Sequence, residues 1–172
     1  MDGYFCSSLG RQLNTQEIAG EIADFMAKDE NRRYKIIIGS DSDGHNGLAT
    51  DFATVIVVHR IGNGGRYFWR RAELSKFHTL RDRIIQEVLL SIEAAREILM
   101  ALRAIKAPQF DFEIHVDIGE GGETKTMIQE VLGMIRAYGE QYAQYIGSSR
   151  YNFEARTKPE SYAATKVADR HV

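Results

Sequence analysis

The run Lys35-Ile-Ile-Ile-Gly-Ser-Asp-Ser-Asp-Gly44 constrains the fold more than any other stretch of the chain. Consecutive isoleucines are stiff at χ1 and favour extended backbone. With no polar residue among them, a strand here is apolar on both faces and belongs at the centre of a covered sheet. Alternation puts Lys35, Ile37, Gly39 and Asp41 on one face and Ile36, Ile38 and Ser40 on the other. The strand then runs into two carboxylates, Asp41 and Asp43, at the rim where ligands of α/β folds bind. Ser-Asp-Gly is also ordinary turn chemistry, and this stretch alone favours that plainer reading.

The order of the remaining segments predicts an α/β fold with a mixed sheet, in one domain spanning 1–172. Residues 1–13 read as irregular. Asn14 and Glu17 resemble a capping box that opens a helix to about Lys28, with Ile18, Ile22 and Met26 at fourfold spacing. After the central strand, Phe52 to Arg60 and Arg66 to Glu73 form two more strands joined by Gly62-Asn-Gly-Gly65, so the first three make an antiparallel meander. A long helix from about Thr79 to Lys106 carries the stripe Ile84, Ile85, Val88, Leu89, Ile92, Ala95, Ile98, Leu99 and Leu102 and closes before Pro108. A fourth strand covers about Asp111 to Ile118. A helix follows from Thr124 to Tyr138, ended by Gly139. A fifth strand near Tyr151 to Thr157 and a closing helix from Ser161 to His171 complete the chain.

Four acids fall where chemistry can gather. Asp41 ends the first central strand and Asp117 lies near the end of the fourth. If those strands are parallel neighbours, the two carboxylates meet. Glu87 sits two turns into the long helix on the border of its apolar stripe. Asp169 lies on the closing helix, where Ala164 and Ala168 permit close approach to the sheet. Converging acids repel and need cations, and an all-oxygen shell suits Mg²⁺ or Mn²⁺. Two such ions about 4 Å apart can activate water and stabilise the leaving oxygen in phosphodiester hydrolysis. Each acid alone has a duller explanation. Glu87 can be a solvated helix residue, Asp117 a cap for the Gly119 turn, and Asp169 a partner of Arg170 or Lys166.

Taken together, this order and these acids resemble the ribonuclease H-like fold. More specifically, the chain resembles the YkuK-like family of predicted RNase H-like nucleases. The matching stretches are Ile38-Gly-Ser-Asp-Ser42, His115-Val-Asp-Ile-Gly119, Met127-Ile-Gln-Glu-Val-Leu-Gly-Met134, Lys158-Pro-Glu-Ser-Tyr-Ala-Ala164 and Val167-Ala-Asp-Arg-His171. They span nearly the whole chain, and the C-terminal motif is the most specific. The resemblance implies that Asp41, Asp117 and Asp169 are the strand-one, strand-four and last-helix acids. It implies a long-helix acid at Glu87, with Glu93 as a competitor. Asp43 stands where an amide is expected, so it is an accessory ligand or a turn residue.

Lys158 and Arg170 flank the proposed site and could hold a scissile phosphate. His171 is two residues past Asp169 and could shuttle protons or bind metal. His115 reads as structural, and His45 and His78 as surface or cap residues. The trio Tyr67-Phe-Trp69 could stack bases, although alternation buries at least one member. Tyr138, Tyr142 and Tyr145 read as partner or core surface. Nucleotide binding at Gly119-Glu-Gly-Gly-Glu-Thr124 is disfavoured, because it lacks a P-loop pattern and its two acids repel an anion.

A net charge of −2 and a pI near 6.2 argue against coating nucleic acid by bulk electrostatics, but not against an enzyme that contacts a few phosphates through metal. The single Cys6 excludes an internal disulfide and fits a reducing compartment. A polar N-terminus and no apolar run near ~18 residues predict a cytoplasmic protein without a membrane span. The leading expectation is a metal-dependent nuclease acting on RNA, DNA or a hybrid, with Asp41, Glu87, Asp117 and Asp169 as ligands. A non-catalytic binding scaffold on the same fold is the rival, and a nucleotide-dependent phosphotransferase is a weaker one. An oligomer is compatible with either of the first two.

Overall fold

A computed structural model describes residues 3–43, 49–75, 77, 79–146 and 153–171, with backbone only at 122–123, 144–146, 153, 164–165 and 169. Among these, seven strands form one sheet in the order β2-β1-β5-β4-β3-β6-β7. The strands are β1 (Phe5–Ser7), β2 (Gln12–Leu13), β3 (Tyr34–Asp43), β4 (Ala49–Arg60), β5 (Gly65–Ser75), β6 (Asp111–His115) and β7 (Phe153–Arg156). The helices are α1 (Thr15–Ala27), α2 (Leu80–Ala104) and α3 (Ile128–Ile146). The chain ends in a π-helical segment, Ala163–Val167, and a 3-10 turn, Ala168–His171.

The isoleucine run sits centrally, as its composition requires. β3 pairs antiparallel with β4 and parallel with β6, and β4 pairs antiparallel with β5. Ile36 and Ile38 join Ile56, Phe68, Phe112 and Ile114 on one face, buried under α1, α2 and α3. On the other face Ile37, Ala53 and Val55 pack against Ala163 and Ala168 of the closing segment. Three helices thus cover one side, and one short segment covers the part of the other that faces β3 and β4. No helix among the described residues is long and apolar enough to cross a membrane.

Several expectations hold in detail. Asn14 and Glu17 form a reciprocal capping box. Gly62 and Gly64 take φ of 80° and 70°, which a tight β4–β5 connection needs and a side chain would resist.

Others are corrected. Residues 1–13 are not wholly irregular: β1 and β2 form a small hairpin on the sheet edge, its turn tied by the Ser7 hydroxyl, which accepts from the Leu9 and Arg11 N–H groups. The helix expected from Thr124 starts at Ile128 after a 3-10 segment, Gly122–Met127, and runs through Gly139 to Ile146. Val131, Ile135 and Tyr142 are buried on one stripe, and that packing outweighs the local cost of glycine. β6 stops at His115, not Ile118, because the chain turns tightly there: the Ile118 N–H donates to the Val116 carbonyl at 2.9 Å. The closing helix is broken into π and 3-10 pieces. Leu89, assigned to the buried stripe of α2, is 46% exposed. The loop with His45, and His78, lie outside the described residues.

Candidate active site at the ends of β3 and β6

The parallel pairing of β3 with β6 brings their C-terminal ends side by side. Asp41 lies near the end of β3, and Asp117 lies just past β6 in the tight turn. Both are partly buried. Glu87 reaches this edge from α2, and two hydroxyl contacts fix it there. Ser40 bonds Ser91 at 2.9 Å, and the Ser42 hydroxyl donates to Glu87 Oε1 at 2.5 Å. Two strand residues rise about 6.6 Å and four helical residues about 6 Å, so Ser40 and Ser42 match Ser91 and Glu87 rung for rung. Ser40 also bonds Thr54 at 2.9 Å, which ties the joint to β4.

Glu87 is 5% exposed, so it is not a solvated helix residue. Burial pushes its pKa from 4.5 up to about 8; the Ser42 bond pulls it back, Asp41 adds to the rise, Arg83 opposes it and Asp117 adds again. Asp41 and Asp117 thus lie near enough to Glu87 for their charges to act on it. Glu93, the competitor, lies elsewhere: its side chain is 45% exposed with Arg70 at 3.9 Å.

The cation at hand is Lys158. Its Nζ lies 2.7 Å from Asp117 Oδ1, and its side chain is 52% exposed. The Lys158 N–H donates to the Ile118 carbonyl at 2.8 Å, which sets its stem beside the Asp117 turn. A Cβ on Gly119 would lie 3.3 Å from Lys158 Cβ, so glycine there gives the stem room. Among the described residues, no three Asp, Glu, His or Cys side chains are already close enough to hold a metal ion.

Asp169 belongs to the closing segment, and its side chain lies outside the description. Its backbone is held between two anchors: Ala168, buried on Ile37, Ala53 and Val55, and His171, whose ring stacks on Trp69 at 4.2 Å and 10°. That is the face from which alternation projects Asp41. His171 is occupied by this stacking over β5, two strands and so roughly 10 Å across from β3. Burial lowers its pKa, and Arg170 and Arg71 lower it further. Arg170 is exposed. Asp43 faces Asp51 across the ladder, and Asp51 pairs with Arg71 at 2.7 Å. Of the aromatic trio, Phe68 is the buried member.

Two features were missed in the sequence. One is the Ser40–Ser91 and Ser42–Glu87 joint, whose signal is serine at i, i+2 on a strand facing Glu and Ser at i, i+4 on a helix. The other is a buried hydrogen bond between His115 and Glu113 under the closing segment. His115 Nδ1 accepts the Ala163 N–H at 3.2 Å, so its Nε2 carries the proton toward Glu113 Oε2 at 2.8 Å. Glu113 also accepts from Lys35 at 2.6 Å. Burial alone would raise the Glu113 pKa, yet His115 and Lys35 together hold it down at about 2. His115 is thus the pin that fastens the segment carrying Asp169.

A family model for ribonuclease H-like proteins matches residues 17–172. The chain belongs to the ribonuclease H-like family. It is 31% identical over 170 residues to the uncharacterized protein YkuK of Bacillus subtilis (strain 168), covering 92% of this chain and 91% of that one. Ribonuclease H1 of Halobacterium salinarum NRC-1 superposes on 80% of this chain and 99% of its own, with a TM-score of 0.38 and 13% identity. The family assignment rests on the sequence matches, and the mixed sheet agrees with it.

Proposed function

We propose that this ribonuclease H-like chain is a metal-dependent nuclease that hydrolyses phosphodiester bonds in nucleic acid. The carrying observation is the buried acid Glu87, held as a protonated carboxyl near the ends of two parallel strands and close enough to Asp41 and Asp117 to feel their charges. Burying acids together is unfavourable unless a cation compensates. The donor set is oxygen only, which fits Mg²⁺ or Mn²⁺. Asp41, Glu87 and Asp117 would hold the ion, with Asp169 completing the shell from the closing segment. The chemistry such an ion supplies is activation of water for attack on phosphorus and neutralisation of the leaving oxygen. Ser42 fixes the Glu87 carboxylate, and Lys158 neutralises Asp117 until substrate arrives and then is free to meet a phosphate oxygen.

A second reading, a non-catalytic scaffold, draws on the Lys158–Asp117 pair, which already compensates one acid without metal. Assays of labelled RNA, DNA and hybrid duplexes with Mn²⁺ separate the two. Cleavage by the wild type that is lost in Asp41→Asn and Glu87→Gln supports the nuclease. Full activity in either variant would refute the site, and no cleavage of any substrate would favour the scaffold.

A further inference from the structure

Among the described residues, three of the large apolar side chains most exposed to solvent, Leu89, Met100 and Ile105, line one groove of about 1240 Å³ on the outer face of α2. Its far wall is the stacked pair Tyr138 and Tyr142 of α3. A patch of this kind marks an interaction surface. The charges on α2 indicate what fits it.

The outward residues Leu89, Glu93, Arg96 and Met100 follow 4-3-4 spacing, the spacing of a helix–helix seam. The order is self-complementary when reversed. In an antiparallel pair of α2 helices centred between Ala94 and Ala95, each Leu89 meets the other copy's Met100. Each Glu93 then meets the other copy's Arg96. A parallel pairing in register would instead oppose Glu93 to Glu93 and Arg96 to Arg96. Arg70 sits closer to Glu97, at 3.1 Å, than to Glu93, at 3.9 Å, and the Glu93 side chain is 45% exposed. At 25 residues α2 is about 37 Å long, enough for an isologous interface.

We propose that the outer face of α2 is a dimer interface, pairing antiparallel with α2 of a second copy of this chain through the Leu89–Met100 and Glu93–Arg96 contacts. The proposed catalytic edge lies at other residues, so this inference stands or falls apart from the nuclease reading. Sedimentation velocity over a concentration series reaching about 0.2 mM, with thermal melts as a folding control, tests it. The wild type should form a dimer. Glu93→Arg and Arg96→Glu, which oppose like charges, should each weaken association at least about tenfold. The double variant Glu93→Arg/Arg96→Glu should recover it, since the swap restores both pairs. A monomeric wild type, or a folded double variant no better than the single ones, would overturn the proposal.

Discussion

At the residue scale the proposed chemistry turns on Glu87. Its folded-state pKa of about 8 lies above the ordinary 4.5, so between these pH values the folded chain keeps a proton that the unfolded chain has released. Without metal, the contribution of Glu87 is therefore fully present below pH 4.5 and is lost as pH rises toward 8. Glu87→Gln removes this loss. Thermal denaturation of the metal-free proteins should find the variant more stable than the wild type at pH 8, by on the order of 3 kcal/mol, with the difference shrinking at pH 5. The same variant should be inactive. Equal stabilities at both pH values would mean that Glu87 is not held as a buried acid.

Lys158 is the other residue to test, because it pairs with Asp117, a proposed metal ligand. Lys158→Met should raise Mn²⁺ affinity about fivefold, the equivalent of about 1 kcal/mol for a half-exposed pair, read by calorimetry. Unchanged affinity would show that the lysine does not compete. At this scale Asp41 and Asp117 were legible, since an acid ending an apolar strand stands out. The depth of Glu87 was not. Only the three-dimensional match of its turn to Ser40 and Ser42 shows why a carboxylate on the border of the stripe points inward.

At the element scale the closing segment matters most. It is short, it is neither regular nor long enough to hold itself in place, and His115 pins it to the sheet. Replacing His115 with Leu deletes the bonds to Ala163 and Glu113 and should cost about 3 kcal/mol. Hydrogen exchange should then speed up selectively in 161–171, while the strands stay protected; a uniform change would contradict the pinning role. The Glu113 pKa of about 2 lies below the ordinary 4.5, so its stabilising contribution is present above pH 4.5 and lost as pH falls toward 2. Acid should accordingly loosen this segment.

Legibility at this scale follows local chemistry. The Asn14 capping box and the Gly62–Gly65 hairpin were readable because their signals are contained in a few residues. β1 and β2 were not, because three- and two-residue strands gain their order from the neighbouring β5. The passage of α3 through Gly139 was hidden for the same reason: burial of Tyr142 on the far side decides it. Leu89 fits the period of the buried stripe by sequence, yet it faces the groove.

For the whole molecule, the layout divides the labour. The edge where β3 and β6 end collects the acids, one face carries the three-helix layer, and the other carries the segment bearing Asp169. The parallel β3–β6 pair was foreseeable from the element order and is the reason two strand-end acids become neighbours. The outer face of α2 belongs to the helical layer, on the opposite side of the sheet from the closing segment.

The central claim is that these acids form a divalent-cation site. Calorimetric titration of Mn²⁺ into the wild type and into Asp117→Asn, each alone and with a phosphorothioate oligonucleotide, tests it most directly. The expected result is saturable binding by the wild type, weakened at least about tenfold in Asp117→Asn with the fold intact. Equal binding by both proteins, or none by the wild type even with the oligonucleotide, would contradict it.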